Sequence, residues 1–299
     1  MRKFICIVFL NISVITAFAQ SRPILAFASD TQQPMTLEKI FLKPNQNEKA
    51  TEMIFKEVAA IHPAGFFILG DVVSVGYRNK KWAAVDKYMA QLKKNSIPVY
   101  ATLGNHELMF SAAKGTKQFR SRFPMYKPEG YVVVTDSVAV VLLNSNFSRV
   151  SAAEMKAQDT WYINTIKKLD NDAAIRFIIV ACHHSPYTNS TIVKPSILVQ
   201  QKFVPAFINA KKAVLFLSGH SHNFERFKMQ GKTFLVIGGG GGLHQPLNKK
   251  PGFPDLAIDY KPAFHYLQVM RDKDGLQIIS RQITKDLTKF ENGVQLKVQ

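Results

Sequence analysis

Five apolar runs, each ending in side chains that can bind metal, constrain this chain more than any other feature of its sequence. Each run is rich in β-branched or aromatic residues and is apolar on both faces, which is typical of a buried strand. The segments after the runs contain Asp30, Gly70-Asp71, Gly104-Asn105-His106-Glu107, His183-His184 and Gly219-His220-Ser221-His222. Polar side chains at the carboxyl ends of buried strands lie at the rim of a sheet, where α/β folds bind ligands. The sequence therefore predicts an α/β fold with a metal site at that rim.

The order of strands and helices along the 299 residues predicts one domain over residues 20–299. No internal repeat or Pro- or Ser-rich linker divides the chain, and 46% hydrophobic content is enough for a sizeable core. Strand–helix alternation followed by antiparallel strands predicts two sheets packed face to face with helices outside. The predicted strands end near Ser29 and span Phe66–Leu69, Pro98–Leu103, Tyr131–Thr135, Val138–Asn144, Ile175–Cys182, Ala213–Leu217, Thr233–Ile237, His265–Arg271 and Gly275–Ile283. The predicted helices span Glu48–His62, Trp82–Lys94, Met155–Leu169 and Leu198–Asn209.

Residues 1–19 have the pattern of a secretory signal peptide. A basic pair at residues 2 and 3 precedes an apolar run, and Ala17-Phe18-Ala19 forms a small-x-small cleavage site. An uncleaved membrane anchor is the alternative, which the short run and Asn11 within it disfavour. We therefore expect an exported protein, periplasmic or secreted, with no transmembrane segment after cleavage. Cys182 would then be the only cysteine, which excludes an intramolecular disulfide in the mature chain.

The formal net charge of +18 at pH 7 favours anionic partners, such as phosphorylated substrates. Many basic residues form scattered pairs, such as Lys80-Lys81 and Lys211-Lys212, and they do not alternate with aromatic residues. Paired lysines of this kind are usually solvated surface, whereas single-stranded nucleic acid is bound by basic grooves lined with aromatic side chains. We therefore predict a small phosphorylated substrate and no specific nucleic-acid binding.

The carboxylates after the first two runs suit a centre for two metal ions. Two cations a few ångströms apart need a shared anionic bridge, and a carboxylate is the natural choice. Asp71 is the candidate bridge, because Gly70 lets the backbone turn tightly and aim the carboxylate at both ions. Asp30 would bind one ion, and the amide oxygen of Asn105 would bind the other.

Histidines complete this predicted centre. An imidazole from the adjacent pair His183 and His184 would join Asn105; His183 is favoured because it is the first residue past the strand. His220 and His222 are two residues apart, so in an extended backbone both side chains face the same way and can reach separate ions. His106 directly follows a ligand but points elsewhere, which leaves it free as a proton donor.

The order of these segments resembles the calcineurin-like metallophosphoesterase superfamily. The segment from Gly219 to Arg226, GHSHNFER, is similar to the last motif of the purple acid phosphatase branch. Other parts that look like this branch and its single-domain bacterial relatives are Gly238–Leu243, Gln158 with Trp161, and Leu143-Asn144-Ser145. The resemblance extends from Ile24 to about Ile283. It implies a four-layer αββα sandwich of two mixed β-sheets flanked by helices, a centre of two metal ions, and hydrolysis of phosphate esters.

Two positions depart from the pattern of that superfamily. Most members have a histidine two residues after the first aspartate, where this chain has Gln32. Purple acid phosphatases have a tyrosine three residues after the bridging aspartate and protein phosphatases an aspartate, whereas this chain has Ser74. The predicted ligands of the first ion are then Asp30, Asp71, His222 and the amide oxygen of Gln32. This oxygen-rich set suits a harder divalent or trivalent ion such as Fe, Mn or Mg, with Zn as a further alternative.

The resemblance and the residues together give a hypothesis for the reaction. A metal-bound hydroxide would attack phosphorus in line, both ions would neutralise the phosphoryl oxygens, and His106 would protonate the leaving alkoxide. Asn105, His106, His184 and His244 are the predicted substrate contacts, with His184 also an alternative ligand. An acid-phosphatase-like monoesterase is favoured over a phosphodiesterase of the same fold and over a catalytically weakened protein that binds phosphorylated ligands. The two remaining histidines, His62 and His265, are assigned to structure.

Overall fold

Two six-stranded sheets form the centre of the structure, a computed structural model that describes residues 23–248, 250–257 and 259–299. The strands are β1 (Ile24–Ala28), β2 (Gly65–Ile68), β3 (Val99–Ala101), β4 (Tyr131–Thr135), β5 (Val138–Leu142), β6 (Phe177–Ala181), β7 (Ala213–Ser218), β8 (Phe224–Met229), β9 (Lys232–Ile237), β10 (His265–Arg271), β11 (Leu276–Ile283) and β12 (Phe290–Val298). The helices are α1 (Glu38–Phe41), α2 (Asn47–Ile61), α3 (Ala83–Lys94), α4 (Asn105–Leu108), α5 (Ala112–Arg122), α6 (Ala152–Asn171), α7 (Ile197–Lys202) and α8 (Val204–Asn209). The predicted signal peptide lies outside the described residues. Within the described ranges, no helix combines the length and apolarity that crossing a membrane requires.

Both sheets are mixed. The first has the strand order β12-β11-β10-β1-β2-β3, in which β1, β2 and β3 are parallel and the last three strands of the chain are antiparallel. The second has the order β4-β5-β6-β7-β9-β8, with four parallel strands between two antiparallel ones. Parallel strands end at the same edge of a sheet, so each sheet brings several strand ends together at one edge.

Alternating residues of the second sheet divide the core into two layers. In β5, Val138, Val140 and Leu142 belong to the larger core cluster, which also contains residues of the first sheet. Ala139 and Val141 of the same strand belong to a second cluster, formed with apolar residues of α6, α7 and α8. Apolar residues of α2 and α3 join the larger cluster. The predicted four-layer αββα sandwich is therefore confirmed, and burial on both faces explains why the strands are continuously apolar.

The structure corrects the sequence prediction in a few elements. The predicted helix Leu198–Asn209 is two short helices, α7 and α8, that meet at Phe203. Pro205 in the first turn of α8 has no N–H to donate and its ring excludes a continuous helix. The prediction also missed the strands β8 and β12 and the helices α1, α4 and α5. These elements carry many polar residues, which obscure the apolar pattern.

Candidate metal centre

Strand ends from both sheets meet at one edge of the sandwich and carry the metal-capable side chains. In chain order, Asp30 follows β1, Asp71 follows β2, Asn105 begins α4 after β3, His183 follows β6, and His220 and His222 follow β7. Backbone hydrogen bonds join the ends: Asp30 N–H donates to the carbonyl of Gly70 (3.1 Å), and Gly219 N–H to that of His183 (2.9 Å). The fold therefore brings together residues that are far apart in the chain.

Three of these residues have left-handed backbones. Asp30, Asp71 and His220 have φ angles of 59°, 48° and 66°, values that are uncommon for residues other than glycine. Such conformations occur preferentially at functional sites. Gly70, with φ at 87°, precedes the predicted bridge, and a Cβ there would lie 2.7 Å from the backbone nitrogen of Gly104. The close approach of these two loops thus requires glycine at position 70.

His183 is the centre of one half of the site, called here the second half and formed by Asn105, His183 and His220. Its Nδ1 lies 2.9 Å from the carbonyl oxygen of Leu69, to which it must donate because a carbonyl only accepts. Its Nε2 lies 3.1 Å from Asn105 Oδ1 and 3.2 Å from Asp71 Oδ2. Whenever the imidazole is neutral, its Nε2 lone pair therefore faces two oxygen acceptors.

The two other imidazoles of this region lie beside His183. Ligand atoms of His183, His184 and His220 all lie within 4.8 Å of one another. Burial, with the neighbouring His183, lowers the pKa of His184 to about 3, and burial, with His184 and His183, lowers that of His220. Neutral imidazole is the form that binds metal. His184 Nδ1 is 2.8 Å from Ser145 Oγ, whereas His183 Nε2 is 3.1 Å from Asn105 Oδ1. The geometry therefore favours His183 over His184 as the partner of Asn105.

Asp30, Gln32 and His222 form the other half of the site, called the first half. His222 donates through Nδ1 to the carbonyl of Leu243 (2.8 Å), and its Nε2 lies 3.4 Å from Asp30 Oδ1. The Gln32 amide lies 3.3 Å from the same Nε2. Its hydrogen bonds orient it: the amide nitrogen donates to the backbone carbonyls of Asp30 (3.1 Å) and Asp71 (2.9 Å), which turns the oxygen towards His222. Gln32 is thus placed as an oxygen donor.

Asp71 lies between the two halves and is almost fully buried. Ligand atoms of Asp30, Asp71 and His183 lie within 4.8 Å of one another. Burial by itself would raise the pKa of Asp71, but the charges of His183 and His106 outweigh it and hold that pKa well below its ordinary value. Conversely, burial lowers the pKa of His183, and Asp71 overcomes this and raises it to about 9. Both shifts show how strongly this carboxylate attracts positive charge.

The donor set fits metal ions. Neutral imidazole nitrogens, carboxylate oxygens and amide oxygens face one another in both halves at 3.1 to 3.4 Å. Acceptors at such distances repel each other unless a cation or a proton lies between them. Carboxylate and amide oxygens with imidazole nitrogens are the ligands that Fe, Mn and Zn take in proteins. A metal ion in each half would satisfy these lone pairs.

His106 borders the centre with one nitrogen directed into it. Its Nδ1 donates to the carbonyl of Ser74 (3.0 Å), and its backbone N–H donates to Asp71 Oδ1 (2.8 Å). Its Nε2 lies 3.8 Å from Asp71 Oδ2 and 4.0 Å from Glu38 Oε1. The Ser74 carbonyl thus orients the ring, although the Ser74 side chain replaces the family's tyrosine or aspartate. His106 Nε2 thus faces the centre, and its role as a proton donor stays a prediction.

Glu107 holds two of the loops together from beneath. It is fully buried, and its carboxylate accepts N–H bonds from Asp71 (3.0 Å), Val72 (2.8 Å), Val73 (3.1 Å) and Gly104 (2.8 Å). Burial and the Asp71 charge raise the pKa of Glu107 to about 7, while the backbone N–H groups oppose that shift. Glu107 therefore fixes the loop that carries Asp71 relative to the loop that carries Asn105.

The family assignment follows from this geometry and from sequence comparison. The family model for calcineurin-like phosphoesterases matches residues 24–224. This chain belongs to the calcineurin-like phosphoesterase family. The predicted resemblance is thereby confirmed, and the chain is a metallophosphoesterase, a hydrolase that acts on phosphoric esters. A search of curated proteins finds no match.

Solved structures share the fold of this phosphoesterase at low sequence identity. A purple acid phosphatase from yellow lupin seeds is 12% identical with a TM-score of 0.66, over 93% of this chain and 54% of the lupin chain. This chain thus spans about half of the lupin enzyme. GAP50, described as the anchor in the inner membrane complex of Plasmodium, is 14% identical with a TM-score of 0.64, over 93% and 89% of the two chains. A dimetal phosphatase from Danio rerio is 13% identical with a TM-score of 0.57, over 92% and 98%.

Three further histidines of the phosphoesterase are neither predicted metal donors nor the predicted proton donor. His244 contacts the first half only indirectly, with Nδ1 3.3 Å from the backbone carbonyl of His222, and its ring lies 4.7 Å from that of Phe264. Burial lowers the pKa of His244 to about 4. Its predicted contact with substrate stays a prediction. His265 is fully buried in β10, and His62 directly follows α2 with a left-handed backbone. Their assignment to structure stays a prediction.

Sequence reasoning missed some residues of this site. Glu38, four ångströms from His106, lies in a polar segment between β1 and α2 that carries no pattern of a site. The sequence alone does not indicate that Glu107 braces the loops, because a glutamate at the start of a helix is often exposed. The approach of Ser145 to His184 depends on how β5 and β6 end side by side. In the sequence, Ser145 is marked only by its place in Leu143-Asn144-Ser145, a segment that looks like the purple acid phosphatase branch.

Proposed function

We propose that this phosphoesterase is exported and hydrolyses phosphate monoesters with the help of two metal ions. The observation that carries the proposal is the pair of donor sets, one on each side of Asp71, with His106 Nε2 directed into the same space. The monoester preference is supported by the resemblance to purple acid phosphatases, and export by the basic and apolar pattern of residues 1–19. The net charge of +18 favours an anionic substrate.

Each ion would be held by donors from one half of the site together with Asp71. The first ion would be held by Asp30, Gln32, Asp71 and His222, and the second by Asp71, Asn105, His183 and His220. When bound, Fe, Mn or Zn ions neutralise charge on phosphate and make a water molecule acidic enough to act near neutral pH.

The remaining residues would bind the ester and move one proton. His106 would donate the proton on Nε2 to the leaving alcohol oxygen, since its Nδ1 is held by the Ser74 carbonyl. Because Asn105 Oδ1 is directed towards His183, its amide NH2 group is free to donate to a phosphate oxygen. Ser145 Oγ accepts the backbone N–H of His184, so its own proton can go to His184 Nδ1. His184 would then donate to the phosphate through Nε2.

The direct test combines elemental analysis with two ester substrates. Purified protein, with and without chelator treatment, is assayed on 4-nitrophenyl phosphate and bis(4-nitrophenyl) phosphate, and then reloaded with Fe, Mn or Zn. We expect two equivalents of metal and faster hydrolysis of the monoester, lost to chelator and restored by metal. His106→Ala should lower turnover by about 100- to 10,000-fold at unchanged metal content. Bound metal and phosphate without turnover of either ester would refute the proposal and favour a binding protein.

A phosphodiesterase is the second candidate, favoured by a recess next to the second half of the site. The recess has a volume of about 330 Å³, and its walls include Asn105, His184, Phe147 and Arg149. A diester needs space for a second organic substituent, and this recess offers it beside two predicted substrate contacts. Faster hydrolysis of the bis-ester in the same assay would establish this candidate over the monoesterase.

Export has its own test. Expression of the full chain in a bacterium with a secretion system should give a mature protein outside the cytoplasm that begins at Gln20. N-terminal sequencing of the periplasmic and secreted fractions measures this. A full-length chain that stays in the cytoplasm would refute export without affecting the proposed chemistry.

A further inference from the structure

Glu38 brings a carboxylate to the mouth of the site, next to the proton donor. Its Oε1 lies 4.0 Å from His106 Nε2, and its side chain is 20% exposed. Its other oxygen, Oε2, accepts the backbone N–H of Met35 at 2.6 Å, which holds the side chain in this direction. Within the described chain, no lysine or arginine nitrogen comes within 4.0 Å of Glu38. The carboxylate is therefore available to a bound molecule.

Packing against the core does not explain why α1, the helix that carries Glu38, lies where it does. None of the residues of α1 is buried. Ile40 and Phe41 are 69% and 77% exposed, and Leu37 just before the helix is 62% exposed. Large apolar side chains with this exposure contribute little to a core. The contact of this segment with the centre is made through Glu38, which points to a role in the site.

The position of His106 locates the leaving group relative to Glu38. A general acid must come within hydrogen-bond reach, about 3 Å, of the oxygen that it protonates. With Nε2 of His106 about 3 Å from that oxygen and 4.0 Å from Glu38 Oε1, the oxygen is at most about 7 Å from the Glu38 carboxylate, within reach of the first atoms of the alcohol. Glu38 can therefore contact the alcohol part of the ester, whereas the metal donors face the phosphate.

We propose that Glu38 selects the alcohol part of the substrate, an inference that rests on the proposed phosphoesterase function. It favours esters with an ammonium or hydroxyl group on the carbon next to the ester carbon, where a donor can reach the carboxylate. It disfavours leaving groups that carry a second anion, because two like charges would face each other in a partly buried site. The substrate class is thus phosphate esters of amino alcohols and polyols.

Three two-carbon esters that differ only at the far end test this selection. O-phosphoethanolamine ends in an ammonium group, ethyl phosphate in a methyl group and 2-phosphoglycolate in a carboxylate. For metal-loaded enzyme, kcat/KM on each ester is divided by that on ethyl phosphate. We expect Glu38→Gln to lower the phosphoethanolamine ratio by about 10- to 100-fold and to raise the phosphoglycolate ratio, as expected for a charge-assisted hydrogen bond replaced by a neutral one. Glu48→Gln, the same charge change at an exposed position of α2, should leave both ratios unchanged.

The outcomes separate this inference from the proposed function. If the metal-loaded enzyme hydrolyses 4-nitrophenyl phosphate but Glu38→Gln leaves both ratios as in the wild type, the selection by Glu38 is refuted and the phosphoesterase stands. If Glu38→Gln and Glu38→Ala slow all three esters equally, the residue is structural and the inference is also refuted. If no ester is hydrolysed at any metal loading, the proposed phosphoesterase function and the selection by Glu38 are both refuted. Thermal unfolding of both variants verifies that they are folded.

Discussion

The two halves of the metal centre stand on the same kind of strand end but differ in their donors. The second half has two imidazoles and an amide, from His183, His220 and Asn105, and His183 is oriented by the Leu69 carbonyl. The first half has one imidazole, from His222, a carboxylate, from Asp30, and the Gln32 amide in the place where most of the family has a second imidazole. Asp71 is common to both. The first half therefore has one imidazole fewer and one carboxylate more than the second.

The support behind the two halves differs as well. Glu107 ties the Asp71 loop to the loop of Gly104 through four N–H bonds. In the first half, Asp30 accepts the N–H of Gly242 at its carbonyl (2.8 Å) and the N–H of His220 at its carboxylate (2.9 Å). Residues that orient metal ligands affect affinity nearly as much as the ligands themselves. Because Glu107 braces the loop that carries Asn105, we expect the second half to bind its ion first and the occupancy of the first half to depend on metal supply.

The largest effect is expected from Asp71, the residue that the halves share. Asp71→Asn replaces the bridging anion by a neutral amide, so both ions lose a ligand and the charge that holds them together. Turnover should fall by at least roughly 1,000-fold, and elemental analysis should show loss from both halves. Asp274→Asn, at an exposed turn, is the matched control. An Asp71→Asn protein that retains two equivalents of metal would contradict the bridge.

Removing the amide from each half in turn tests the difference directly. Asn105→Ala should lower turnover by about 100-fold, and Gln32→Ala by at most about 10-fold, because water can replace a weak donor on the first ion. Competition with a chelator measures the affinity of each ion in both variants. The same loss in the two variants, or a larger one for Gln32→Ala, would show that the halves are equivalent.

Glu107 should affect stability more than its distance from the substrate suggests. In Glu107→Gln, an NH2 group would face backbone N–H groups that now donate to the carboxylate, leaving buried donors without acceptors. The free energy of unfolding should fall by about 3 kcal/mol, with weaker binding of the second ion. Urea unfolding measures this. Glu129→Gln, at a partly exposed loop position, should stay within about 0.5 kcal/mol of the wild type. A Glu107→Gln protein as stable as that control would show that Glu107 does not stabilise the two loops.

The strand ends could be predicted from sequence because buried parallel strands are apolar on both faces. That pattern locates Asp30, Asp71 and His183 at strand ends without knowledge of the fold, and the structure brings them together. The preference for His183 over His184 came from its position directly after the apolar run. The Nε2 of His183 is indeed directed to Asp71, although its role as a ligand is still a prediction.

Other features depend on contacts between distant segments, which no local pattern specifies. Glu38 reaches His106 only through the path of the chain between β1 and α2. The strand β12 lies at the edge of the first sheet, and most of its residues are at least partly exposed. Its sequence therefore shows only a weak alternation of polar and apolar residues. For the strand β8, the sequence does carry a local signal, the dipeptide Gln230-Gly231 before β9. The two residues have φ angles of 48° and 80°, as in a two-residue hairpin turn.

The smallest effect is expected when an imidazole is added to the first half. This change tests most directly whether the two halves differ in their donors. Gln32→His restores an imidazole beside His222, where the Gln32 amide now lies 3.3 Å from Nε2. Affinity for the first ion should rise by about 10-fold, most clearly with Zn, which prefers nitrogen donors more than Fe or Mn does. Turnover at limiting metal should rise a few-fold and should not change at saturating metal.

Gln33→His, one residue further along the same loop, is the control for an added imidazole outside the donor set. If the two variants raise metal affinity equally, the effect comes from a general surface histidine and position 32 is not a ligand position. If Gln32→His instead lowers affinity, the amide oxygen is the better donor in this cavity. The first half would then be adapted to a harder ion than the second, and the two halves would differ in the kind of metal they select rather than in strength.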